Sequence, residues 1–440
     1  MDYPSVDGDH SWPSGHFCKD LKFQQPSRSF DLSFGQGNSF TFIQDVEKDE
    51  NYHGRDIKVS GDLVLRRSGD SSPGPSVVLE VTTNDENIVP KVDFSTDGQA
   101  LHVTVPRQLS WGESSTWPCM KIQATVWVPA DGTLDELFVE NVHLGIKLLD
   151  NLSLQVGQKA HLTTVVGSVV AAQGSGPDMP LEGSSPAYFK FDSRWIQVKT
   201  TSADIKGYWP LYDYLGLHST SGKIRVGIEP KEADKDEPQP AVLSLKSLSG
   251  NIDFHEPVEK AVAAAASQAV AAPETWIPPR DYRSNIHTTS GDIKGLLAVS
   301  STSRFHSTSG DMNIQILPVL DKSSAESDDY AFVETSSTSG KIVAYVNDPM
   351  WIETSQGVFA SPQAAKGPAM RCLKARHTTT SGNINVHYPV AWEGDLELNT
   401  LSGKLKASGK DLKKIKEGSD VSTSRALYFP FGNSREHLCT

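Results

Sequence analysis

The sequence predicts an all-β protein in which residues 140 to 406 form a β-solenoid, or right-handed β-helix-like stack, behind an irregular β-rich N-terminal cap. Three observations predict it. A Thr-Ser-Gly-polar-Ile turn recurs eight times, its spacing is ordered, and short strand-like runs fill the rest of a 440-residue chain that carries 34 Gly and 26 Pro.

Residues 1–28 carry Pro4, Pro13 and Pro26 among many Ser and Gly without apolar periodicity, and read as a disordered lead-in. The cap region, 29–139, contains seven alternating or β-branched runs: 30–34, 39–43, 56–59, 62–65, 77–81, 101–105 and 121–128. Such a cap would close the open end of a stack. Residues 407–440 read as a C-terminal tail or cap.

The frame occurs at 201–205, 220–224, 248–252, 289–293, 308–312, 338–342, 380–384 and 401–405, with weaker relatives at 165–169 and 59–63. Its small residue falls at 203, 222, 250, 291, 310, 340, 382 and 403, giving intervals of 19, 28, 41, 19, 30, 42 and 21. Three turns therefore form a larger unit, with 201–288 matching 289–379. Glycine between Ser and a polar residue suggests a turn at positive φ, which puts strain on Ala203, the one exception. The polar residue faces water, and the next position (Ile, Met or Leu) forms an apolar ladder if every turn feeds one core. The longer intervals hold insertions: a charged, Pro-rich loop at 229–240, an acidic loop at 321–329, and an Ala-rich run at 261–272 able to form a short helix.

The repeated T-S-G-[DNK]-I turn, preceded by Val126-Trp-Val-Pro129 and Leu137-Phe-Val-Glu-Asn-Val142, resembles the microbial putative-adhesin domain, a domain of unknown function. The resemblance spans about 120 to 406. It implies a right-handed β-helix-like stack without an established activity, and it suggests the cell surface. Its motif is structural, so it carries over no catalytic residues.

The formal charge of -13, from 41 basic and 54 acidic residues, argues against a nucleic-acid partner. The 261–272 run is too short to span a bilayer and no signal peptide precedes the strands, so the expected location is intracellular by default, without a membrane span. Cys18, Cys119, Cys372 and Cys439 match no metal spacing and read as isolated thiols.

No cofactor, metal or catalytic set emerges. Asp292 and Asp311 lie on equivalent turns, but Asp beside Ser-Gly is ordinary turn chemistry. His218 and His306 occupy matching positions without a second ligand. No G-x-S-x-G elbow occurs, and Gly35-Gln-Gly37 precedes a strand-like run where a phosphate loop needs a helix. The dense aromatic cluster Tyr208, Trp209, Tyr212 and Tyr214 is the candidate contact patch for a protein or glycan partner, provided the four are exposed together. The reading is a non-enzymatic structural or adhesive interaction module. The alternative is a carbohydrate-active β-helix enzyme, a polysaccharide lyase or hydrolase, with its site in the loops 206–218, 255–285 or 343–377.

Overall fold

The computed structural model describes residues 18, 21–48, 55–69, 73–109, 117–149, 151–173, 189–259, 261–263, 277–321, 331–355, 358–360, 370, 373–392, 395–408, 413–417 and 422–427. Alternation of apolar and polar residues makes nearly every described element a strand, and from about residue 130 the chain passes to and fro between two long parallel sheets. In the first sheet, Lys58–Arg67, Gly145–Leu149, Val169–Gln173, Ile205–Leu211 and Ile224–Pro230 pair in that order, and the series runs on to Leu405–Ser408. The second runs from Ser39–Val46 through Gly132–Asn141, Ser153–Thr164, Lys190–Thr200 and Tyr214–Ser219 to Asp395–Ser402. Neither sheet closes into a barrel. Their inner faces enclose one hydrophobic core that extends from Leu32 to Leu398.

Antiparallel strands border both ends. Ser76–Thr83 lies against Cys119–Val128 and also pairs with Arg28–Asp31 and Phe23–Gln24, so part of the segment read as a lead-in is strand. Residues 1–17, 19 and 20 lie outside the described residues. At the far end Ser422–Leu427 covers Asp395–Ser402 and is itself covered by Lys413–Glu417. Of the Ala-rich run, only residues 261–263 are described, and they are helical.

The apolar position of the frame forms a continuous ladder. Ile205 pairs with Ile224, and the series continues through Ile252, Ile293, Met312, Ile342 and Ile384 to Leu405. The 59–63 relative is no turn: it lies inside the strand Lys58–Arg67, where Gly61 at φ +131° faces the Ile122 carbonyl.

Positive φ is not the reason for the frame glycines. The described glycines with φ between +20° and +160° are Gly35, Gly37, Gly61, Gly98 and Gly207, none of which belongs to the eight turns, and Ala203 is not among the positive-φ residues either. What excludes a side chain is stacking: a Cβ on Gly222 would lie 1.8 Å from the Ala203 carbonyl oxygen, and one on Gly250 would lie 2.0 Å from that of Gly222. A buried hydroxyl three residues before the glycine completes the turn at Gly222, Gly250, Gly291 and Gly310. Ser219 Oγ accepts the Gly222 N–H at 2.8 Å and donates to the Ala203 carbonyl at 3.2 Å, and Ser247 and Ser307 repeat the arrangement. On the solvent side an Asp or Asn after the glycine accepts the next turn's N–H, as Asp292 Oδ1 does from Asp311 at 2.9 Å.

Cys18 and Cys119 are not separate thiols but a disulfide. They are 101 residues apart in sequence, yet the strands that follow them, Phe23–Gln24 and Cys119–Val128, both pair with Ser76–Thr83. Cys372 and Cys439 lie outside the described residues.

Candidate functional site: the outer face of the second sheet

The aromatic cluster does not form a single exposed patch. Trp209 is 0% exposed, with Nε1 donating to the Lys206 carbonyl at 3.2 Å, and Tyr208 is buried with its ring against Gly227, where a Cβ would come within 2.5 Å of ring carbon Cδ1. Alternation along a strand would send one of these two side chains outward. The strand breaks alternation at Gly207, whose φ of +98° is open to glycine, and every residue from Gly207 to Leu211 is buried. Tyr212 is half-buried and donates from its hydroxyl to Asp192 Oδ1 at 2.8 Å; burial first, and then that carboxylate, raise its pKa well above the usual phenol value.

Tyr214 alone of the four reaches the outer sheet face, and there it meets a residue outside the cluster. Its ring stacks on Trp195 of the adjacent strand, with centroids 4.2 Å apart and planes 23° apart. Trp195 is 44% exposed. The Tyr214 ring also leans over Gly216, where a Cβ would lie 2.6 Å from its hydroxyl, so a side chain at 216 would displace it. Immediately before Tyr214 in the chain, Asp213 accepts from Arg194 Nε and from the buried Arg280, whose Nη2 lies 3.0 Å away. Arg280 also donates to the Lys231 and Gln239 carbonyls, tying the charged 229–240 insertion to this edge. Two loops of the enzyme alternative, 206–218 and 255–285, therefore meet in an ion pair. Much of the third, 343–377, lies outside the described residues.

Because the strands are parallel and in register, outward residues line up in columns. One column starts with Trp195 and Tyr214 and continues through Val242, Arg283 and Thr302. Two residues along each strand, Gln197, Gly216, Ser244, Asn285 and Arg304 form the next. Two further along stand Lys199, His218, Lys246, His287 and His306. The His287 and His306 rings stack at 4.9 Å, and His218 Nε2 lies 3.2 Å from Ser244 Oγ. Burial holds the His218 pKa down to about 4, with the Lys246 and Lys199 charges adding to the effect, and His287 is lowered by burial, His306 and Lys246.

Sequence reasoning noticed His218 and His306 but missed the column. Its signal is positional: each member directly precedes the buried Ser or Thr of a turn. No group of three or more His, Cys, Asp or Glu able to hold a metal occurs among the described residues. No helix among them is long and apolar enough to cross a membrane.

No family model matches the chain, and no curated protein matches it. Solved structures show weak likeness. A "putative lipid binding protein" from Parabacteroides distasonis ATCC 8503 aligns over 88% of this chain and 95% of its own, at 12% identity and a TM-score of 0.25. A "putative adhesin" from the same organism aligns over 89% and 97%, at 10% identity and 0.27. Another from Parabacteroides merdae ATCC 43184 aligns over 87% and 94%, at 8% identity and 0.22. Scores this low carry no argument about what the present chain binds.

Proposed function

We propose that the chain is a non-enzymatic adhesive module: a two-sheeted β-solenoid over 140–406, capped by 29–139 and by the C-terminal segment from 407, that binds an extended ligand on the outer face of its second sheet. The stack of the exposed Trp195 on the half-buried Tyr214 carries this reading, since paired aromatic rings on a polar sheet face suit contact with a sugar or with a partner's side chains. The in-register pairing of the Ile ladder and the antiparallel strands at both ends support the solenoid and its caps. The Cys18 to Cys119 disulfide favours an oxidising compartment over the intracellular default, in keeping with display outside the cell.

Titration against a panel of immobilised polysaccharides tests the reading. Trp195→Ala and Tyr214→Ala are each expected to weaken binding at least tenfold while leaving the melting temperature within a few degrees of wild type. Undiminished binding by both variants would move the contact elsewhere.

A further inference from the structure

Lys199, His218, Lys246, His287 and His306 stand one above another on five consecutive parallel strands, at the strand spacing of about 4.8 Å. With His218 held neutral at pH 7 and His287 lowered, Lys199 and Lys246 are the column's fixed charges, two strands apart, and acids are normally interleaved beside such bases. Elsewhere on the same sheet the interleaving is present: Arg376 stands directly opposite Glu397 on the next strand and engages it at 2.9 Å. Here it is missing. Across these five strands none of the three outward columns contains Asp or Glu, although the chain has 54 acidic residues. Both Lys199 and Lys246 are exposed, and neither makes an ion pair among the described residues. The nearest interleaved acid is Glu334 on the following strand, which Arg304 engages at 3.5 Å.

We propose that this column is a binding track for a linear anionic polysaccharide, whose regularly spaced carboxylates or sulfates lie along the stack axis over Lys199, His218, Lys246, His287 and His306. The inference rests on the reading of this face as the contact surface and specifies its ligand class. A linear polyanion fits a column whose two lysines stand two strands apart, and the amides of Gln197 and Asn285 beside it can bond to sugar hydroxyls. The aromatic pair at the column's first two strands would hold one end of the chain. The overall charge of -13 does not oppose this, because a local stripe sets the field at close range.

The test measures binding of the full chain to polygalacturonate, dextran sulfate, neutral dextran and duplex DNA at low and high salt. The double variant Lys199→Ala/Lys246→Ala is compared with Trp195→Ala, and folding is checked by melting temperature. The expected result is salt-sensitive binding to one or both anionic glycans, little to neutral dextran, and at least a tenfold loss in the folded lysine variant. Preference between the first two probes separates a carboxylate from a sulfate ligand. Binding that Trp195→Ala abolishes and the lysine variant leaves unchanged would overturn the anionic track while sparing the contact face. Equal binding to neutral dextran, or tighter binding to DNA, would also overturn it, and failure to bind any probe would overturn both readings.

Discussion

A Cβ placed on Gly310 would lie 1.8 Å from the carbonyl oxygen of Gly291, the corresponding glycine one turn earlier in the stack. The contact is backbone to backbone, so no side-chain rotation relieves it. The glycine is required by the neighbouring turn, and its own dihedral angles would accept other residues.

Gly310→Ala should therefore destabilise the protein by on the order of 3 kcal/mol. Gly74→Ala, where a Cβ meets nothing within 4 Å, should change stability by less than about 0.5 kcal/mol. Ala203→Gly relieves no strain, since Ala203 does not sit at positive φ, and is expected to cost about 0.5 kcal/mol through unfolded-chain entropy. Denaturant melts of the three variants check the set; a benign Gly310→Ala would refute the stacking account.

His377 is fully buried, with Nδ1 2.8 Å from Thr335 Oγ1 and Nε2 2.8 Å from the Tyr388 hydroxyl. Burial lowers its pKa to about 3, so the native state keeps it neutral while the unfolded chain takes up a proton below about pH 6.5. Stability should fall as pH drops from 6.5 towards 3, by on the order of 3 kcal/mol at pH 4 from this group. His218, at about 4, acts in the same window. The decisive measurement is the pH slope: His377→Gln should flatten the decline between pH 6.5 and 4, and an unchanged slope would assign it to other groups.

Glu256 has the opposite sign. Burial raises its pKa to about 8 although Oε2 accepts the Ala298 N–H at 2.7 Å, so the folded state holds it protonated while the unfolded chain ionises above about 4.5. Stability is lost as pH rises through the window from 4.5 to 8. Glu256→Gln keeps the acceptor and removes the proton uptake. It should raise the melting temperature at pH 7.5 and leave it nearly unchanged at pH 4.5, whereas a lower melting temperature at pH 7.5 would show that the carboxyl is used in its charged form.

The disulfide closes a loop of about 100 residues and should contribute about 4 kcal/mol, chiefly by restricting the unfolded chain. Cys18→Ser/Cys119→Ser should melt well below wild type under oxidising conditions and match it in the presence of a reductant. If reductant does not lower the wild-type melting temperature, the bond does not form in solution.

Much of the architecture was legible as text. The Ile, Met and Leu position of the eight turns could be aligned by eye, and those residues pair strand to strand because one register must serve a shared core. The same text misled on the reason for glycine, since an alignment records a missing Cβ without showing whether dihedral angle or a neighbour forbids it. It misled again on Tyr208 and Trp209, because strand alternation is a local rule and the positive φ at Gly207 and the space over Gly227 are not.

The sequence by itself determined an all-β chain, the positions of the turns and the residues that face the core, because periodicity and turn chemistry act over a few residues. Tertiary structure alone decided which residues far apart in the chain became neighbours. It joined Cys18 to Cys119, set Trp195 against Tyr214, and raised Lys199, His218, Lys246, His287 and His306 into one column. The physical reason is that parallel pairing brings strands separated by insertions of unequal length to the same spacing of about 4.8 Å, erasing in space the intervals that hide the pattern in the text.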